Sequence, residues 1–378
     1  MKFSKLVLPG ITMIAVTYGL ARFSFGLLLP AINESLEMRD STSGVVSSLF
    51  YVAYCVTIVV STVITTQEGP RRMIILAGLS AFLGLLLMAI APNVWLLGLG
   101  VLLAGGSTGL ASPPYGAAVS IWMKTEKQGK ANTWINSGTG FGIALSGLGA
   151  ILLMPHWRLT YGIYAALALF ILLWNYKAIP EMNTGFGAKL VLKKGNFSLQ
   201  GVKRANRLMI ASLVLGFSTA AFWTFSRTFI GTAGDYNEWQ LSGFWVIIGL
   251  FGVLGGFSGS LIEKSGLPLA YKGGSLAIAF ASILLALAPE NFSIAYISAG
   301  LFGCAYIFLT GVLLVWGIRV FIKNASLGIG VPFLLLAVGQ VIGSSFAGVF
   351  IESWGYSFTF MLYGLGGIAA AFIGLEKG

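Results

Sequence analysis

Twelve windows of about 20 residues, apolar on every side, run through the sequence with charges, proline or glycine in each gap. They lie near 7–29, 43–65, 73–91, 94–118, 133–154, 159–177, 207–231, 239–262, 270–288, 292–317, 326–350 and 355–374. A helix needs about 20 mostly apolar residues to cross the hydrocarbon layer, so each window predicts one transmembrane helix. A membrane barrel would alternate apolar and polar positions over about ten residues, and these runs do not. The first window follows Lys2 and Lys5, as a secretory signal would. It is too long for a signal core and lacks a small-residue cleavage site, so it is expected to be the first span.

Composition agrees. Of 378 residues, 57% are apolar or aromatic and only 9% are charged, against roughly a quarter in soluble domains. That excludes a water-soluble enzyme, a disordered tail and a disulfide scaffold. Cys55 and Cys304 lie far apart in apolar runs, and His156 is the single histidine, so neither a disulfide framework nor a multi-histidine metal site is expected. No cofactor or metal is expected. Membrane-embedded catalysis is disfavoured too, because the spans hold no carboxylate pair, histidine cluster or nucleophile motif. No Gly-x-x-x-x-Gly-Lys-Ser/Thr run is present, so energy must come from gradients and not from ATP.

The net charge of +11 changes meaning once the charges are placed. With both termini in the cytoplasm, the inner segments hold nineteen of the 23 lysines and arginines, and the outer loops only Arg39 and Arg158. This asymmetry is the rule for multi-pass proteins of the cell membrane. The positive charge therefore reflects topology, and nucleic acid is not an expected partner. The remaining two basic residues, Arg22 and Arg227, lie inside spans.

The chain repeats itself at an offset of 197 residues. Gly69 meets Gly266, and the run Met88–Asn93 meets Leu285–Glu290. Gly106 meets Gly303, Gly142 meets Gly339, and Trp157 meets Trp354. The expected organisation is a six-helix bundle at 1–177, a basic cytoplasmic linker at 178–206 and a second six-helix bundle at 207–378. This 6+6 parallel plan resembles the major facilitator superfamily over nearly the whole chain. That family carries a loop signature after spans two and eight, Gly-x-x-x-Asp-basic-x-Gly-x-basic-basic. The second copy here is similar: Gly259-Ser260-Leu261-Ile262-Glu263-Lys264-Ser265-Gly266, with glutamate for aspartate. The first keeps Gly69-Pro70-Arg71-Arg72, while Thr62 and Thr66 stand in the glycine and aspartate places and Glu68 is the nearby acid.

Physical reasons make a gating latch the expectation for these loops, with an ordinary solvated loop carrying topology charges as the alternative. Gly259 permits close helix approach where lipid supplies no hydrophobic drive, and Glu263 can pair with a base or a helix amino terminus. Span five carries Gly138, Gly140, Gly142, Gly147 and Gly149, and span eleven Gly328, Gly330, Gly339, Gly343 and Gly348. Static packing and moving contacts are both open readings for these. Pro113-Pro114 is expected to break or bend span four.

An ionisable group within a span is a functional candidate, because its cost is several kcal/mol. Arg22 has Tyr18 four residues before it and Gly26 four after, while Arg227 has Trp223 and Gly231 likewise. Residues four apart share a helix face, so each arginine is expected beside its aromatic ring. Pairing the two motifs needs an offset of 205, with eight extra residues supplied by the outer loop at 30–42. The family resemblance implies that spans one and seven line the central cavity. Two guanidinium groups there would grip a carboxylate or phosphate. For Arg227, snorkelling to headgroups is the alternative. Tyr51, Tyr54, Ser112, Tyr115, Asn136, Tyr306, Thr310 and Gln340 are further pocket candidates. The acids all fall in loops or at span ends, leaving no embedded carboxylate for a cation or a coupled proton, except by way of Glu34 or Glu352 near outer ends.

The fold class expected is an all-α membrane protein of twelve helices. The expected function is a secondary active or facilitative transporter of a small organic anion, working by alternating access as a monomer in the lipid bilayer. An efflux pump for hydrophobic or amphipathic compounds is the alternative.

Overall fold

The structure, a computed structural model, describes residues 2–153, 155–181, 199–255, 262, 264–321 and 325–373. Ten long helices come first: α1 (Phe3–Leu36), α2 (Asp40–Glu68), α3 (Pro70–Ile90), α4 (Val94–Trp122), α5 (Thr125–Leu153), α6 (Trp157–Ala178), α7 (Leu199–Ala233), α8 (Glu238–Gly255), α9 (Leu267–Leu287) and α10 (Phe292–Val320). The last helical stretch, Ala325–Phe372, is interrupted at Gly355, where φ is 80° and ψ 171°. That break divides it into α11 (325–354) and α12 (356–372). Eleven stretches among the described residues are long and apolar enough to cross a membrane, the last of them containing this break. The architecture is all-helical and consistent with twelve spans.

The chain packs as two compact units. The first draws its described residues from 1–37 and 49–194, the second from 38–48 and 195–378. The first turns of α2 thus pack with the second unit. There the Ser41 amide donates to Glu352 Oε1 at 2.8 Å, and Tyr356 donates to Asp40 Oδ2 at 3.0 Å. Within the first unit, Leu6, Met13 and Ile14 of α1 pack with Ile74, Tyr115 and Ile135 in one buried cluster.

Backbone geometry carries the internal repeat. Gly69 caps α3 at φ 84° and Gly266 caps α9 at φ 82°, each followed by proline in the first turn. Few residues other than glycine adopt that conformation. Asn93 caps α4 by accepting from the Leu96 amide at 3.0 Å, and Asn291 caps α10 by accepting from Ile294 at 3.1 Å. The cap equivalent to Asn93 is therefore Asn291 and not Glu290. The one-residue slip carries into the helix: Gly105 and Gly303 make the matching close approach, their Cβ positions lying 2.4 Å from Phe50 O and 2.1 Å from Ile248 O.

The offset of 205 expected for span one does not hold. α1 ends at Leu36 and α7 at Ala233, which are 197 residues apart. Gly19 meets Gly142, and Gly216, 197 residues on, meets Gly339. Only residues 37–39 separate α1 from α2, too few to absorb eight extra residues. The repeat partner of Arg22 is therefore Thr219, and that of Arg227 is Pro30. The two arginine motifs are not copies of one another. Of the break or bend expected at Pro113-Pro114, the break is absent, since α4 stays helical through both. In lipid a broken ladder would find no water to satisfy it.

Candidate functional site

Residues Ala15–Phe23 of α1 form a π-helical segment, in which the Ser24 amide reaches back five residues to Gly19 O. Such wider turns are uncommon and frequently mark functional sites. This segment aims Arg22 into the first unit, where its side chain is buried at 6% exposure. The guanidinium carbon lies 4.5 Å from the ring centroid of Tyr51, 5.1 Å from Phe23, 5.3 Å from Tyr54 and 5.9 Å from Tyr18. Aromatic faces offset the cost of burying a cation by about 0.5–2 kcal/mol each, according to desolvation. Tyr18 in turn shares a hydrogen bond of 2.7 Å with Ser112 on α4. Cys55 follows Tyr54 on α2.

Arg22, Tyr18, Tyr51, Tyr54 and Ser112 thus come together. Tyr115 does not join them. It is locked in the core near the other end of α1, donating to Pro9 O at 3.3 Å and to Asn175 Oδ1. Asn175 also donates to Pro9 O at 3.2 Å, so the pair staples α1, α4 and α6. Asn136 is exposed on α5.

In the second unit Trp223 stands edge-on to Trp245, Phe302 and Tyr306 at centroid distances of 6.1, 5.1 and 5.1 Å. Gln340 donates to Tyr306 Oη at 3.2 Å, bringing Trp223, Tyr306 and Gln340 into one cluster. Thr310 bonds back to Ile307 O within α10. Arg227 is neither at the surface nor in that cluster. Its Nη2 meets Glu238 Oε2 at 2.5 Å, with the arginine 2% exposed and the glutamate 54%. Read as a sequence, Glu238 is a loop acid. The signal that reveals it is an acid and a base on either side of the turn at 234–237, which brings the two helices face to face.

At the α2–α3 turn, Arg71 pairs with Glu181 just beyond α6, donates to Tyr176 O at 2.9 Å and lies 4.9 Å from the Tyr176 ring centroid. Arg72 pairs with Glu68 one turn away. The acid opposite Arg71 therefore comes from Glu181, over a hundred residues away in sequence, and Thr62 bonds its own helix at Ile58 O. Gly259 and Glu263 lie outside the described residues. Of the second loop, Lys264 is exposed and Gly266 holds the turn.

Comparison with known proteins agrees with this architecture. Residues 11–331 match the model of the Major Facilitator Superfamily. The chain is 25% identical over 367 residues to the transcription regulatory protein OpdE of Pseudomonas aeruginosa, covering 92% of this chain and 87% of OpdE. It is 23% identical over 385 residues to the probable sulfoacetate transporter SauU of Cupriavidus necator, covering 93% and 89%. Among solved structures, the nucleoside transporter NupG superimposes with a TM-score of 0.78 at 15% identity, covering 97% of this chain and 98% of NupG. The xylose transporter XylE from E. coli gives 0.77 at 14%, covering 98% and 96%. With a family match over most of its length and an all-helical membrane architecture to go with it, the chain belongs to the major facilitator superfamily, as a transporter of a small solute.

Proposed function

We propose that this transporter moves a small organic anion by alternating access, and that Arg22 is its anchor. The observation that carries this reading is the guanidinium held among Tyr18, Phe23, Tyr51 and Tyr54 on the π-helical segment. A guanidinium fork matches a carboxylate or sulfonate by paired hydrogen bonds, which an ammonium cannot do. The rings suit an apolar body attached to that anionic head. Sulfoacetate, named for the SauU relative, is itself a small organic anion, which supports the same class. The basic-residue asymmetry supports a cell-membrane location with both termini in the cytoplasm, and the rings around Arg22 all coming from one chain supports a monomer.

Thermal-shift measurements against a panel of carboxylates, sulfonates, sugars, amino acids and lipophilic cations test the class. Stabilisation by an anion that Arg22→Ala abolishes, in a protein that still folds, is the expected result. The aromatic cluster of Trp223, Trp245, Phe302 and Tyr306 favours a second reading, export of amphipathic compounds. Dye efflux unaffected by Arg22→Ala would select that reading over the first.

A further inference from the structure

The positive charge available at membrane depth limits what an anion site can hold. Among the described residues, the buried charged side chains are Arg22 and Arg227. Arg227 is already balanced, since its Nη2 meets Glu238 Oε2 at 2.5 Å. The other described arginines of the first unit stand at helix ends. Arg71 pairs with Glu181, Arg72 pairs with Glu68, and Arg158 donates to Ser35 Oγ at 2.8 Å and to Ala91 O at 2.9 Å. The described lysines of that unit are all exposed. Arg22 therefore gives the first unit one positive charge inside its spans.

The surroundings of that charge are unsuited to a second anionic group. The rings of Tyr18, Phe23, Tyr51 and Tyr54 lie around the guanidinium. Ring faces carry the negative lobe of the aromatic quadrupole, so they attract the arginine and repel an anion laid against them. The nearby polar groups are the hydroxyls of Tyr18 and Ser112, 2.7 Å apart. Hydroxyls can meet an amide or alcohol on a ligand, but they do not balance a full charge. With one anionic group on Arg22 the loaded site is neutral. With two it carries net negative charge at membrane depth, where an unpaired charge is costly.

We propose that the site selects monoanions, with a single carboxylate or sulfonate on an apolar or neutral polar body, and rejects dianions of the same shape. The inference rests on the anion reading of Arg22 and narrows it to one class of substrate. Selection here comes from a charge the site lacks. A dianion can place one group on the guanidinium fork, but its second group meets ring faces and neutral hydroxyls.

Calorimetric titration of the purified full-length protein in lipid nanodiscs at neutral pH tests it with matched probes. Succinamate is paired with succinate, and 4-carbamoylbenzoate with terephthalate. In each pair an amide stands for one carboxylate, so charge and not shape separates the two. The wild type should bind each monoanion at least about tenfold more tightly than its dianion, and Arg22→Ala should bind neither. Should that variant fail to fold, Arg22→Lys takes its place: it keeps the charge, so it should weaken the monoanions and preserve their lead. Dianions that bind as tightly as their partners, through a site that Arg22→Ala abolishes or Arg22→Lys weakens, would overturn this inference and leave the anchor standing. Binding that ignores both substitutions, or no binding of any of the four probes, would overturn the inference together with the reading beneath it.

Discussion

Gly19 of α1 and Gly142 of α5 touch backbone to backbone: a Cβ built on Gly19 would lie 2.1 Å from the Gly142 carbonyl carbon, and one on Gly142 would lie 2.2 Å from Ala15 O. Gly216 and Gly339 repeat the contact in the second unit, where the Gly339 Cβ would lie 2.0 Å from Leu213 O. Backbone atoms cannot swing aside, so Gly142→Ala and Gly339→Ala must push helices apart. Each should cost about 1–3 kcal/mol, in the range of overpacking, and lower the thermal unfolding midpoint in detergent. Gly162→Ala, where a Cβ meets nothing within 4 Å, should leave that midpoint unchanged or raise it.

The two turn glycines make a cleaner measurement of backbone strain. At Gly266 a Cβ would find only Pro268 Cδ at 3.8 Å, so space is not the obstacle. Its φ of 82°, like the 84° of Gly69, is. Gly266→Ala and Gly69→Ala should each cost about 1–3 kcal/mol, read as equal losses of midpoint in the two variants.

Replacing Arg22 separates charge from fork. Arg22→Lys keeps the cation but not the paired hydrogen bonds, and Arg22→Ala removes both. Truncating a buried charged partner costs about 2–5 kcal/mol of affinity, or roughly 30-fold and more. Calorimetric titration with the anion that stabilises the wild type should show Arg22→Ala without binding and Arg22→Lys between the two. Equal affinity in all three proteins would remove Arg22 from the site.

Cys55 offers a reporter in the same place. In a Cys304→Ser background it is the single thiol. It adjoins Tyr54, whose ring centroid lies 5.3 Å from the guanidinium carbon of Arg22, so that charge should draw in an anionic reagent. Sulfonatoethyl methanethiosulfonate should label it several-fold faster than the trimethylammonioethyl reagent. Arg22→Ala should erase the preference, and a bound anionic substrate should block labelling. Labelling rates that ignore both reagent charge and Arg22 would contradict the placement.

The large-scale plan was legible because it is written in composition. Twelve apolar windows, charges kept to the gaps and span ends apart from Arg22 and Arg227, and a 197-residue echo are one-dimensional properties, and the helices follow them. The Arg22 neighbourhood was partly legible, since Tyr18 shares its helix and Tyr51 and Tyr54 recur on the next. Partners that depend on how helices are laid side by side were not. Glu181 reaching Arg71, and Glu238 reaching Arg227, look like loop acids until the chain is folded. Tyr115 reads as a pocket residue because a tyrosine in a span is equally at home lining a cavity or tying Pro9 to Asn175. The kinship expected of Arg22 and Arg227 rested on reading 30–42 as a loop long enough for eight extra residues, whereas α1 runs on to Leu36 and leaves only 37–39 before α2.

The π-helical segment of α1 has a mechanical consequence. A widened coil of this kind can travel along a helix by trading bonds to the fifth residue for bonds to the fourth, one residue at a time. Each step turns the intervening side chains by about 100° about the axis, the angle of a single α-helical residue, while both ends of the rod stay where they are. Arg22 sits one residue inside the far boundary of that coil. One step of the boundary would swivel its guanidinium off the tyrosines with no movement of the surrounding scaffold.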